Sequence, residues 1–159
     1  MLFDTYSGRL MTICHRYAGD RHEAEDMLQE SFIKIFLNIH QFRGEGSFEG
    51  WLRRITVTTA LRMLKKKKIQ FKEMNHHELL IAGDDKDALS NLSEDELLSL
   101  IKNLPSGYRI VFNLYVMEGY SHEEIGNMLG VETVTSRTQL AKARKQLQKQ
   151  ILLHKQIMH

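Results

Sequence analysis

The sequence predicts an all-α fold: two small helical domains joined by a flexible linker, the second of them a helix-turn-helix domain. Three observations carry this expectation. Apolar residues recur at helical spacing in one segment after another, while β-branched alternation is scarce. Pro105 is the only proline among 159 residues. A capped helix, a glycine turn and a long cationic helix follow one another between Gly119 and Lys149. The balance of 42% hydrophobic and 26% charged residues is that of an ordinary soluble globular chain.

In chain order, the first helical pattern runs from Tyr6 to about Arg16, with Leu10, Ile13, Cys14 and Tyr17 on one side and an end near Gly19. Glu23 to Ile39 is the clearest helix, with Ala24, Met27, Leu28, Phe32, Ile35 and Ile39 as its apolar side. Three glycines between Gln41 and Gly50 predict a loop, and Trp51 to Lys68 returns to a helix. From Glu73 to about Asn91 periodicity dissolves, which predicts a linker with room for one short helix. A Ser-x-x-Glu capping box at Ser93 and Glu96 opens a helix to Asn103. Leu104 to Gly107 breaks the chain before a helix from Tyr108 to Met117. The predicted domains are 1–72 and 93–159, with 73–92 between them. Each is small enough to be marginally stable alone.

The C-terminal segment carries the strongest functional signal. Ser121 is a good N-cap with Glu124 three residues on, and Ile125, Met128 and Leu129 give the short helix an apolar side. Gly130 falls where a left-handed C-cap favours glycine. The next helix buries a stripe of Leu140, Ala143, Leu147 and Ile151. Thr135, Thr138, Lys142, Lys145 and Lys149 are expected on the opposite face, with Arg137 and Arg144 at its flanks. No Asp or Glu occurs from Thr133 to His159. A helix in the DNA major groove needs such donors for phosphates and for base edges. A solvated amphipathic helix that happens to be basic gives the same stripe, but not the capped helix and glycine turn before it.

A second candidate surface precedes the linker. Trp51, Arg54, Thr58, Arg62 and Lys65 are spaced by three, four, four and three residues, so they share one helical face. Phe42-Arg43-Gly44-Glu45-Gly46-Ser47-Phe48 places two aromatics in a glycine-containing loop just before it. Ring faces for stacking beside cations for the backbone are what single-stranded nucleic acid requires. The same spacing is equally met if Phe42, Phe48 and Trp51 are core residues and the lysine run is a solvated helix end.

The net charge is only +2, and its distribution says more. Acids cluster from Asp20 to Glu30 and again from Asp84 to Glu96, while Arg53 to Lys72 and the C-terminal helix are basic. Two basic surfaces separated by an acidic stretch suggest two contacts with a polyanion. The single cysteine, Cys14, excludes an internal disulfide, fits a reducing cytoplasm and predicts a buried inert thiol. There is no signal-peptide pattern or apolar run of membrane-spanning length. His76-His77 lacks further ligands at metal spacing, so no metal, cofactor or catalytic constellation is expected, and the chain is not read as an enzyme.

The order of these motifs resembles bacterial RNA polymerase sigma factors of the extracytoplasmic-function (ECF) class, in the sigma-70 family. The residues concerned are Glu23 to Phe36, Phe42-Arg43-Gly44 with Ser47-Phe48, Trp51 to Ile55, Leu104-Pro105, Tyr108-Arg109, Glu118 to Gly126 and Ser136 to Arg144. They span nearly the whole chain. The resemblance implies a protein that binds core RNA polymerase, directs it to promoters and helps melt promoter DNA. It places Glu25, Asp26, Gln29 and Glu30 on the polymerase clamp. It assigns the downstream element and melting to Phe42, Ser47, Phe48, Trp51, Arg54, Thr58, Arg62 and Lys65. Thr135, Arg137, Thr138, Gln139, Lys142 and Lys145 read the upstream element. The linker threads toward the RNA exit path, and an anti-sigma factor, which can itself be membrane-bound, is an implied partner.

Departures from the family pattern are Thr58 where asparagine is usual, Arg62, Glu132 and Val134, which bear on sequence preference. Part of the family's first helix is also missing before Phe3. A stand-alone helix-turn-helix regulator and a helical adaptor are the competing readings. Neither accounts for the acidic helix and the aromatic loop together.

Overall fold

The computed structural model describes residues 2–66 and 92–157, which belong to two separate units divided between Ile69 and Gln70. All regular structure among the described residues is helical.

The first unit is a three-helix arrangement of α1 (Leu2–Tyr17), α2 (Arg21–Asn38) and α3 (Phe48–Lys66), each packed on the other two. Helix α1 begins four residues before the expected Tyr6 and buries Leu10, Ile13, Cys14 and Tyr17, as their spacing predicts. Burial pushes the Cys14 thiol up to about 12, so it stays protonated and inert. Asp20 caps α2 by accepting from the Glu23 amide at 2.8 Å. Ala24, Met27, Phe32 and Ile35 enter the core. Ile39 does not: the chain tightens into a 3₁₀ turn at Ile39–Gln41, and that side chain is 42% exposed.

Helix α3 starts at Phe48 rather than Trp51. The Ser47 hydroxyl accepts from the Gly50 amide at 3.2 Å and its carbonyl from the Trp51 amide at 3.1 Å, so Ser47 acts as the cap and Gly50 lies within the first turn. Leu52, Thr56, Val57, Thr59, Ala60 and Leu64 form the buried side. The buried threonines satisfy their hydroxyls on the carbonyls of Leu52 and Ile55. The expected linker helix, the Lys67-Lys68 end of α3 and His76-His77 lie outside the described residues.

The second unit contains α4 (Glu94–Lys102), α5 (Ser106–Phe112), α6 (His122–Leu129) and α7 (Thr133–Ile157). Ser93 and Glu96 form the capping box that the sequence predicts. Helix α5 begins directly after Pro105, whose fixed φ suits the residue that opens a helix, and passes into a π-helical turn at Asn113–Met117. Helices α4, α5 and α6 each pack on α7. Their shared core holds Ile101, Ile110, Phe112, Leu114 and Ile125 with the α7 stripe of Leu140, Ala143, Leu147 and Ile151. Each fully buried Leu or Ile contributes about 1.5–3 kcal/mol. In a unit this small, that is a large share of its stability.

Candidate nucleic-acid interface

Local chemistry builds the turn between α6 and α7. The Ser121 hydroxyl accepts from the Glu124 amide at 3.1 Å, and the Glu124 carboxylate accepts in return from the Ser121 amide at 3.4 Å. Gly130 closes α6 at φ 69°, in the left-handed region, and its amide bonds to the Gly126 carbonyl. The Val131 amide bonds to that same carbonyl at 3.0 Å. A Cβ at Gly126 would stand 2.7 Å from the Val131 carbonyl oxygen, so only glycine lets the turn fold back this closely.

Helix α7 presents Arg137, Lys145 and Lys149 to solvent, with Thr135 and Lys142 half-buried. Lys142, Lys145 and Lys149 line an open groove with Tyr108 and Gln146, a run of cations suited to a phosphate backbone. Two expected contact residues behave differently. Thr138 and Gln139 are each only 1% exposed. Gln139 follows Ser136 by three residues and precedes Ala143 by four, so it shares the core face rather than the outer one. The Thr138 hydroxyl turns back to donate to the Val134 carbonyl at 3.0 Å. The outward placement expected for Thr138 therefore does not hold.

A junction that sequence spacing did not disclose joins α6 to α7. His122 Nδ1 lies 2.8 Å from the Ser136 hydroxyl, and the imidazole stacks on Tyr115 with centroids 4.4 Å apart at 16°. The Arg144 guanidinium sits 6.0 Å from the other partner of that stack, the Tyr115 ring. Burial, and then the nearby Arg137 and Arg144, lower the His122 pKa and favour the neutral ring. Ser136 falls four residues before Leu140, so its place on the core face was legible. Its partner fourteen residues away was not.

The α3 face appears as its spacing predicts. Arg54, Thr58, Arg62 and Lys65 are exposed in line, and Trp51 is half-buried at their head. The Thr58 hydroxyl donates to the Arg54 carbonyl at 2.7 Å, which leaves its oxygen free to accept. Phe42, Phe48 and Trp51 pack on one another at 5.2, 5.6 and 5.8 Å, and Tyr6 touches Phe48 at 5.8 Å. The two readings of these aromatics merge: they are one cluster, partly packed and partly open. Gly44 and Gly46, at φ 74° and 77°, carry the loop that brings Phe42 back onto it.

Glu25, Asp26, Gln29 and Glu30 are all exposed on α2. Arg21 pairs with Glu25 at 3.1 Å and His22 with Asp26 at 3.6 Å, both solvent-exposed pairs of small energetic weight. Ile33 and Leu37 continue the line of Asp26 and Glu30 and are 53% and 68% exposed. Phe36 lies beside them, also exposed. The acidic face thus runs into an open aliphatic one, a combination that suits a protein partner better than water. The spacing from Asp26 to Leu37 was a usable signal that the acids alone concealed. Among the described residues no group of His, Cys, Asp and Glu is placed to hold a metal, and no helix is long and apolar enough to cross a membrane.

Comparison with known proteins follows the same division. Residues 2–69 match the family model for sigma-70 region 2, and residues 94–147 match that for sigma-70, region 4. The chain is 32% identical over 155 residues to the ECF RNA polymerase sigma factor SigE of Mycolicibacterium smegmatis, covering 94% of this chain and 60% of that protein. It is 32% identical over 162 residues to the ECF RNA polymerase sigma factor SigW of Bacillus subtilis, covering 94% of this chain and 87% of that one. In fold it is similar to the sigma factor RpoE of Bartonella quintana, solved in complex with the anti-sigma factor NepR. The TM-score is 0.56 at 17% identity, over 94% of this chain and 93% of that one. The chain belongs to the ECF sigma factors of the sigma-70 family, which direct RNA polymerase to promoters.

Proposed function

We propose that this chain binds core RNA polymerase through α2, with Glu25, Asp26, Gln29 and Glu30 as the charged part of the contact and Ile33 and Leu37 as its apolar part. Residues 1–72 also hold the melted downstream element: Phe42, Phe48 and Trp51 stack on extruded bases, Ser47 and Thr58 accept or donate hydrogen bonds, and Arg54, Arg62 and Lys65 follow the backbone. Residues 93–159 read the upstream element through Thr135, Arg137, Lys142 and Lys145, with Thr138 and Gln139 supporting α7 from within. Residues 73–92 link the two. The protein acts in the cytoplasm and supplies no catalytic group, since nucleotide addition belongs to the core enzyme. An anti-sigma protein that covers these surfaces is its natural regulator.

The observation that carries this reading is the exposure, within one small unit, of an acidic-aliphatic face on α2 and a cationic, aromatic-headed face on α3. A duplex-binding regulator has use for neither. The test is transcription in vitro from promoter fragments recovered by overexpression and start-site mapping. Core polymerase plus this chain should initiate at the mapped sites, whereas core alone should not. Failure to bind core, or binding without initiation at any mapped site, overturns the reading.

A further inference from the structure

We propose that His122, hydrogen-bonded to Ser136 and stacked on Tyr115, is a positioning residue that fixes the start and rotation of α7 and so aims Arg137 at the upstream element. The inference rests on the assignment of α7 to DNA reading and adds a residue on a different helix to it.

The start of α7 is held by the close turn at Gly126 and by buried polar side chains rather than by aliphatic ones. Its first fully buried aliphatic side chain is Leu140, seven residues into the helix, while Thr133, Val134 and Thr135 are only half-buried. Ser136 is completely buried, and a buried hydroxyl without a partner is costly. Its amide is committed to the Glu132 carbonyl at 3.2 Å, and its hydroxyl meets His122 Nδ1 at 2.8 Å. That single contact ties the first residue of α6 to the residue immediately before Arg137.

The ring that makes the contact is itself held. Tyr115 stacks on its face from the π-helical turn, and Arg144 of α7 reaches the Tyr115 ring in turn. Three elements of the domain therefore converge on one imidazole. The charged groups that act on it, Arg137 and Arg144, both come from α7 and both favour a neutral ring. Base-edge recognition tolerates only about 0.5 Å or 10–20° of error, so a joint that restrains the rotation of α7 governs whether Arg137 finds its base.

The test uses the full chain bound to core polymerase, with a promoter fragment recovered by the wild-type holoenzyme and the same fragment with its upstream element scrambled. The readout is the ratio of the two affinities, beside thermal unfolding of the free chain. His122→Ala removes ring and bond, His122→Phe keeps a ring to stack, and His122→Asn keeps a polar atom near the position of Nδ1. Ser136→Ala removes one oxygen and carries the test should His122→Ala not fold. The ratio should fall about tenfold in His122→Ala and Ser136→Ala, the loss of one good base contact. His122→Asn should recover most of it, and His122→Phe should not.

An unchanged ratio in folded His122→Ala or Ser136→Ala overturns the proposal. So does equal weakening on both fragments, which is the mark of a purely structural role, or a His122→Asn variant no better than His122→Ala. Arg137→Ala is measured alongside. If it leaves the ratio intact, the DNA-reading assignment of α7 fails. If it lowers the ratio while His122→Ala does not, only the positioning role fails.

Discussion

Helices α3 and α7 both offer a row of cations, yet the proposed function gives them different forms of nucleic acid. The α3 row begins at an aromatic cluster in which Phe42, Phe48 and Trp51 stand 5.2–5.8 Å apart with part of their surface open. Ring faces have no use against a paired duplex, whose bases are already stacked, but they hold an extruded base at about 1–3 kcal/mol each. The α7 row carries no aromatic at all and follows a tight turn that presents the helix start. Under the proposed roles, charge alone does not distinguish a strand-holding helix from a groove-reading one. What stands at the head of the helix does.

The largest effect should come from cutting the core beneath one row. Leu147→Ala removes a side chain that is 2% exposed and should cost about 2–5 kcal/mol, enough to unfold much of the second domain. Hydrogen exchange by segment should then show loss of protection in residues 94–157, while retention of forked downstream DNA by the holoenzyme persists. Loss of both activities would break the proposed division of labour. Gly126→Ala, which drives a methyl group toward the Val131 carbonyl, should act in the same direction at about 1–3 kcal/mol, read as a lowered unfolding midpoint.

Trp51→Ala should weaken binding to a forked, single-stranded downstream probe by about 1–3 kcal/mol and slow open-complex formation, checked by permanganate reactivity in a variant whose far-ultraviolet spectrum is unchanged. Normal melting in a folded variant would remove the stacking role. Arg137→Ala should cost about 1–3 kcal/mol on the upstream element and relax sequence preference there. Lys142→Ala should weaken all fragments alike and lower the salt-dependence slope by about one charge, which separates a phosphate contact from a base contact within the same helix.

The smallest effect is in pH. His122 has a folded-state pKa below its ordinary 6.5, so the unfolded chain binds its proton more readily. Its stabilising contribution is complete above 6.5 and is lost as pH falls from there through the folded value. Denaturant titrations of wild type and His122→Asn should diverge most near neutral pH and converge on acidification. A difference that grows toward acid would contradict the neutral ring.

How much of this was legible depends on how far each interaction reaches along the chain. Ser93 with Glu96, Ser121 with Glu124, and Gly130 at its left-handed cap are decided within four residues, and spacing found them all. The stripe from Leu140 to Ile151 and the exposed line from Arg54 to Lys65 follow from helical period alone. The start of α3 was misjudged because glycines at 44, 46 and 50 look alike in a string. Only Gly44 and Gly46 take a positive φ, and the Ser47 cap draws Gly50 into the helix. Thr138 was expected on the outer face from helical spacing and Gln139 as a DNA contact from the family resemblance, whereas packing buries both.

The sequence by itself determined where most helices run, the caps at Ser93, Ser121 and Gly130, the two cationic rows, the acidic row and hence the family, because these are set by period, local hydrogen bonding and composition. Only the tertiary structure decided which aromatics gather at the head of α3, how closely Gly126 lets the turn fold back, and that His122 meets Ser136 against Tyr115. Those contacts reach beyond a single helical turn, across a loop or between elements, and their geometry exists only once those elements have packed together.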